Sequence, residues 1–227
     1  MDWCEANYAV SPYIAEWWNT LSSVAMVFAG FAGAWRERQR GRTRFAAAFA
    51  LLVIVGLGSV AFHGTLRFEL QMLDELPMVY LVLLIVWISS GVSHRYGQPA
   101  AIGFVAYGIV LTLLVTLARG SVQFVLFQVG FGTLEIYAIA RTWWLQRQAS
   151  PKIQRHFRFG MTLYVIAVIA WITDTSQCYT IIRWSSSAGL PNPQLHAIWH
   201  VLVSLGFYAL LSVIADVTTV NRGAAKT

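Results

Sequence analysis

Runs of apolar residues, each close to a membrane's thickness when coiled as a helix, alternate with short polar breaks along this chain. Seven such runs cover residues 18–35, 45–66, 72–90, 100–118, 122–145, 159–177 and 196–216. A helix needs about 20 mainly apolar residues to cross the hydrocarbon core of a bilayer, and each run approaches that length. The connections carry helix breakers: Gly97 to Pro99, Ser150-Pro151, and the stretch from Gly189 to Pro193. The predicted fold class is all-α, an integral membrane bundle of seven transmembrane helices. No internal repeat, low-complexity tract or domain boundary divides it, so residues 1–227 read as one domain.

Composition agrees. The chain is 57% hydrophobic and only 11% charged, against about 25% charged in an ordinary soluble domain. Residues 1–17 are mixed and acidic, without the basic-then-apolar order of a cleavable signal, and read as a short tail ahead of the first span.

The net charge of +6 is placed to set orientation rather than to bind nucleic acid. The largest basic run, RERQRGRTR at 36–44, joins two apolar segments, and Arg95, Arg147, Lys152, Arg155 and Arg158 fall on the same side. Arg222 and Lys226 follow in the tail, whereas the opposite side holds Arg67, Arg119 and Arg183. This asymmetry places the first group in the cytoplasm, with the N-terminus outside and the C-terminus inside. Arginine far exceeds lysine, present only as Lys152 and Lys226, a composition expected of a GC-rich bacterial source and so of a bacterial plasma membrane; for a eukaryotic source the expected membrane is that of the endoplasmic reticulum or Golgi.

Both cysteines then face the outer compartment, where disulfides persist. Cys4 lies in the tail and Cys178 opens a long outer loop, CYTIIRWSSSAGLPNPQ. One pairing is open to them, a bridge from tail to loop; the alternative is two unrelated free thiols.

Ionisable side chains at membrane depth are costly and point to function. His63 lies 19 residues after Arg44, nearly a full hydrocarbon thickness at about 1.5 Å per residue, so it sits near the outer boundary. Asp74 opens the third span, and His196 and His200 open the seventh, all at that same end. His196 and His200 are four apart and share a helix face, as do Ser59 and His63. Three neutral imidazoles with an open fourth position are the donor set of a catalytic zinc ion. Asp74 could serve as general base toward a water, and Ser59 could stabilise an oxyanion.

Plainer readings stand beside this one. His63 alone fits an interfacial histidine bonded to a carbonyl, and Asp74, three residues before Pro77, fits a helix N-cap. Glu75 reads as a solvated or capping residue, and His94 and His156 as cytoplasmic loop residues. A receptor-like protein with a structural metal, or a transporter with an ion path through Glu135, Asp174 and Asp216, are the rival functions. For those three acids, capping or interhelical hydrogen bonding is the expected role.

The segment GSVAFHGTLRFELQMLDELPM resembles the alkaline ceramidase signature, and HAIWH resembles the histidine pair of that family's last helix. The start, DWCEANYAVSPYIAEWWNT, is similar to the family's N-terminal calcium-binding segment. Adiponectin receptors and other seven-span metal-dependent hydrolases are more distant relatives. The resemblance implies a zinc amidase that cleaves ceramide, or a similar long-chain N-acyl lipid, into sphingoid base and fatty acid. It implies zinc on His63, His196 and His200, with Asp74 and Ser59 catalytic. It further implies calcium on Asp2, Glu5, Asn7, Glu16 and the Trp3 carbonyl, and a Cys4–Cys178 bridge. The expected partner is thus a membrane lipid substrate, and the expected cofactors are Zn2+ and Ca2+.

Overall fold

The computed structural model describes residues 3–90 and 99–224, with side chains to residue 219. Among the described residues the regular elements are all helices: α1 (Trp17–Gln39), α2 (Thr43–Thr65), α3 (Phe68–Ser89), α4 (Pro99–Leu117), α5 (Gly120–Gln146), α6 (Pro151–Ser187) and α7 (Leu195–Ala224). All but α1 are long and apolar enough to cross a membrane, which makes this a multi-pass membrane protein. In α1, Asn19 and Ser23 near the start and Arg36, Glu37 and Arg38 near the end dilute an apolar middle.

The helices differ in how much of them the protein itself covers. Over half of the apolar windows of α2, α3 and α7 is buried, but less than a quarter of those of α4, α5 and α6. The core lies between the first three, with Phe49 and Leu52 of α2, Val79 and Val82 of α3, and Leu211 and Ile214 of α7. Outward side chains such as Phe28, Ile109, Val129 and Ile169 are exposed, where a bilayer would surround them. α1 packs on α2 and α7, α6 on α7, and α4 sits at the edge against α3 and α5.

Gly58 brings α2 and α3 unusually close. A Cβ there would lie 2.2 Å from the Leu73 carbonyl oxygen and 2.8 Å from the Asp74 nitrogen, so no larger residue allows this approach. The connection is correspondingly short: Leu66 turns left-handed at φ 53° and Arg67 is extended before α3 begins.

At the other end of the bundle, Glu37 is fully buried among Arg36, Arg42 and Arg40, at 2.8, 3.4 and 3.5 Å. Arg42 also reaches Asp216 of α7 at 2.6 Å. Part of the basic run is therefore a clasp that fastens the α1–α2 turn to α7.

Several expected boundaries move. α3 starts at Phe68, because Glu69 in the first turn suits the positive end of the helix dipole. Asp74 is thus inside the helix, and the N-cap reading is wrong. α6 does not end at residue 177 but continues to Ser187 with a bend at Gln177, where φ is −123° and ψ 17°. Loss of hydrophobicity past the span did not break it; Gly189 does, at φ 65°, with the Leu190 N–H returning to the Ser185 carbonyl. Cys178 is accordingly helical, and the connection to α7 is residues 188–194. His156 also belongs to α6 rather than to a loop, and His94 lies outside the described residues.

Candidate active site

α2 and α7 bring the three histidines together at one end of the bundle. Ring centroids of His63 lie 5.1 Å from His196 and 4.9 Å from His200, and the last two are 4.6 Å apart. One ligand nitrogen from each falls within 4.8 Å of the others, and all three rings are buried.

Neighbouring polar groups orient these rings. His63 Nδ1 lies 2.5 Å from Glu16 Oε2; a carboxylate only accepts, so Nδ1–H donates and Nε2 remains available to a cation. His200 Nδ1 lies 2.8 Å from Ser22 Oγ, whose own hydroxyl donates to the Asn19 carbonyl. His196 Nδ1 is buried without a hydrogen-bond partner. An orphaned imidazole nitrogen beside two oriented ones fits a shared cation, with zinc the natural match to three neutral imidazoles.

Asp74 reaches the cluster from α3 across the close approach at Gly58. Ser59 donates a hydrogen bond to its carboxylate and lies 3.4 Å from His200 Nε2. Ser23 Oγ of α1 is 3.0 Å from Ser59 Oγ. A cavity of about 160 Å³ runs along this group, walled by Asp74, His196, Trp3, Trp171 and Trp199 and continuing past Phe131 and Phe207.

The N-terminal segment is fixed onto the site. The Trp3 indole stacks on His196 with centroids 3.8 Å apart. Cys4 pairs with Cys178 in a disulfide, its N–H donates to Asp174 at 3.1 Å, and the Asn192 side-chain amide donates to its carbonyl. Glu5 accepts the backbone N–H groups of Trp18 and Asn19 at 2.7 and 3.0 Å, closing the start of α1. Burial pushes the Glu5 carboxyl up, with those two N–H bonds pulling it back. Glu16 Oε1 accepts the Trp3 N–H and Oε2 the Asn19 side-chain amide.

Of the residues expected to hold calcium, Glu5 and Glu16 converge near Asn19, whose side-chain oxygen is buried without a partner. Asn7 is exposed, and Asp2 lies outside the described residues. Two carboxylates and a lone amide oxygen form an oxygen-only donor set that suits a hard cation.

Other expectations resolve cleanly. Asp174 accepts from Cys4, Asp216 pairs with Arg42, and Glu135 is hydrogen-bonded by Tyr164, so all three acids bond between elements. Glu75, in contrast, is not solvated: it is buried between the side-chain amides of Gln71 and Gln123. Sequence reasoning missed Ser22, Ser23 and Glu16 as partners of the site. The spacing of Asn19, Ser22 and Ser23, one polar stripe on α1, was the available signal.

Across its whole length, residues 1–227, the chain matches the family model described as Ceramidase. It is 31% identical over 216 residues to alkaline ceramidase 3 of Mus musculus, covering 92% of this chain and 79% of that protein. Against an alkaline ceramidase of Saccharomyces cerevisiae the identity is 30% over 235 residues, with 92% and 73% covered. For an alkaline ceramidase of Arabidopsis thaliana it is 29% over 222 residues, with 97% and 84% covered. These relatives are eukaryotic, so the bacterial source read from arginine usage gains no support from them.

Proposed function

The chain belongs to the ceramidase family, and from that premise we propose that it is an intramembrane zinc-dependent amidase. Its substrate is ceramide or a similar long-chain N-acyl lipid, cut to a free fatty acid and a sphingoid base or amine. One observation carries the reading: His63, His196 and His200 close on one another beside the hydrogen-bonded pair Asp74 and Ser59, and His196 and Asp74 open this group onto a largely apolar cavity.

His63, His196 and His200 would hold the ion. When bound, zinc supplies a Lewis acid and lowers the pKa of a coordinated water toward about 7. Asp74 takes a proton from the attacking water and returns it to the amide nitrogen as the C–N bond breaks. The Ser59 hydroxyl turns toward the carbonyl oxygen as that oxygen gains charge. Glu16 and Ser22 keep the rings of His63 and His200 in place, and Trp3 shields His196 from water.

The scaffold for this chemistry is one domain, residues 1–227, with seven spans, the N-terminus outside and the C-terminus in the cytoplasm. The lysine and arginine asymmetry supports that orientation. Asp2, Trp3 through its carbonyl, Glu5, Asn7 and Glu16 would hold calcium, supported by the oxygen-rich pocket around Asn19.

Purified protein in detergent, incubated with a panel of ceramides and other N-acyl lipids, tests the reading. Release of free fatty acid from at least one is expected, and Asp74→Asn is expected to abolish it. Absence of release from every member, by protein shown to be folded, would refute the proposal.

A further inference from the structure

Three polar side chains outside the catalytic set are buried together in the wall between two cavities. Glu75 of α3 accepts the Gln71 side-chain amide at 2.8 Å and the Gln123 side-chain amide, from α5, at 2.5 Å. Gln71 also donates to the Gln123 side-chain oxygen at 3.2 Å. Their relative exposures are 8, 7 and 3%, so no bulk water offsets the cost of placing a carboxyl here. An ionisable group at membrane depth, bonded only to neutral amides, is expensive and marks function.

Position points to what that function is. Asp74 and Glu75 are successive residues, about 100° apart around a helix. Asp74 turns to Ser59 on α2, and Glu75 turns to Gln123 on α5, yet both line the catalytic cavity. Gln71 and Gln123 line a second cavity of about 440 Å³ beside the short α2–α3 connection, and Phe124 walls both spaces. The catalytic cavity also runs past Phe127, Phe131, Val203 and Phe207, where Glu135 and Tyr164 bond to each other within its lining. A lipid amide lying at Asp74 therefore has largely apolar walls for its acyl chain and, on the residue next to Asp74, a carboxylate held by two amides. Each Glu75 oxygen, already bonded once, keeps acceptor capacity for a hydroxyl.

We propose that Glu75, braced by Gln71 and Gln123, is a specificity-determining residue that binds a hydroxyl on the amine half of the substrate. It thereby selects hydroxylated N-acyl lipids over plain N-alkyl amides. The inference rests on the amidase reading above and adds the substrate feature that the site reads. A buried polar site built for a hydroxyl rejects the analogue lacking it, because its own groups are then left without that partner.

The test compares kcat/KM on two amides with one acyl chain, one carrying a long-chain 2-amino-1,3-diol and the other an unhydroxylated alkylamine of equal length. The unsubstituted protein is expected to favour the diol amide by at least about tenfold, and Glu75→Gln to erase most of that preference, chiefly through KM on the diol amide. A brace that only joins α3 to α5 would lower both substrates in proportion, and an unchanged ratio overturns the proposal. Should Glu75→Gln not fold, Gln123→Ala leaves the carboxylate but removes one brace; it is expected to shrink the ratio, and an unchanged ratio overturns the proposal equally. Equal cleavage of both amides by the unsubstituted protein defeats this inference alone. Cleavage of neither defeats the amidase reading, and this inference with it.

Discussion

Glu16 and His63 face each other across 2.5 Å, carboxylate oxygen to ring nitrogen, with side chains 0% and 1% exposed. The contact joins the first residue before α1 to the histidine of α2, and backbone bonds from Ala15 to Gly64 and Glu16 to His63 run alongside it. Carboxylates that orient metal-ligating histidines typically contribute about 10–100-fold in metal affinity. Glu16→Gln is expected to weaken zinc binding by that order, measured by competition with a chelating dye. Unaltered affinity would mean that the carboxylate does not orient His63 for the ion.

Gly58 should tolerate no side chain. The Leu73 carbonyl stands 2.2 Å from where its Cβ would be, so Gly58→Ala pushes α3 outward and carries Asp74 away from Ser59. A misplacement of about 1 Å in a catalytic group can cost on the order of a hundredfold in rate. Loss of turnover is expected with zinc content preserved, because the histidines lie on α2 and α7. Metal analysis and fatty-acid release on the same preparation check both halves.

The site was legible where spacing and depth could be counted. His196 and His200 share a face by their separation of four, and the distance of His63 from the basic run gave its level. What could not be counted was which distant helix supplies a neighbour. Gln123 meets Glu75 across 48 residues, and Ser22 meets His200 across 178; an apolar run with scattered polar residues does not announce such partners. The second half of α6 was missed for another reason. Its residues past Gln177 are too polar for a span, but a helix outside the apolar layer needs only the absence of a breaker, and none comes before Gly189.

The disulfide closes a long loop. Cys4 and Cys178 are 174 residues apart in sequence, and disulfides typically stabilise by about 2–4 kcal/mol. Cys178→Ser is expected to lower Tm and to free the tail whose Trp3 stacks on His196. Thermal unfolding followed by tryptophan fluorescence would show it, and an unshifted Tm would count against the bridge as a structural tie.

Asp74 and Ser59 should separate chemistry from metal binding. Asp74→Asn preserves size and is expected to fold and hold zinc while losing turnover. Ser59→Ala removes one donor to a developing oxyanion, an interaction commonly contributing about 10²–10³ in kcat, and should retain a residual rate. Metal content and kcat measured side by side test this; loss of zinc from both variants would place both residues in metal binding instead.

The three-histidine centre is tested most directly by fatty-acid release from a long-chain N-acyl lipid after the protein is stripped with a chelator and then resupplied with zinc. Activity should vanish on stripping, return with about one zinc per chain, and fail to return in His200→Ala. Full activity in the stripped, metal-free protein would contradict a metal-dependent site at His63, His196 and His200.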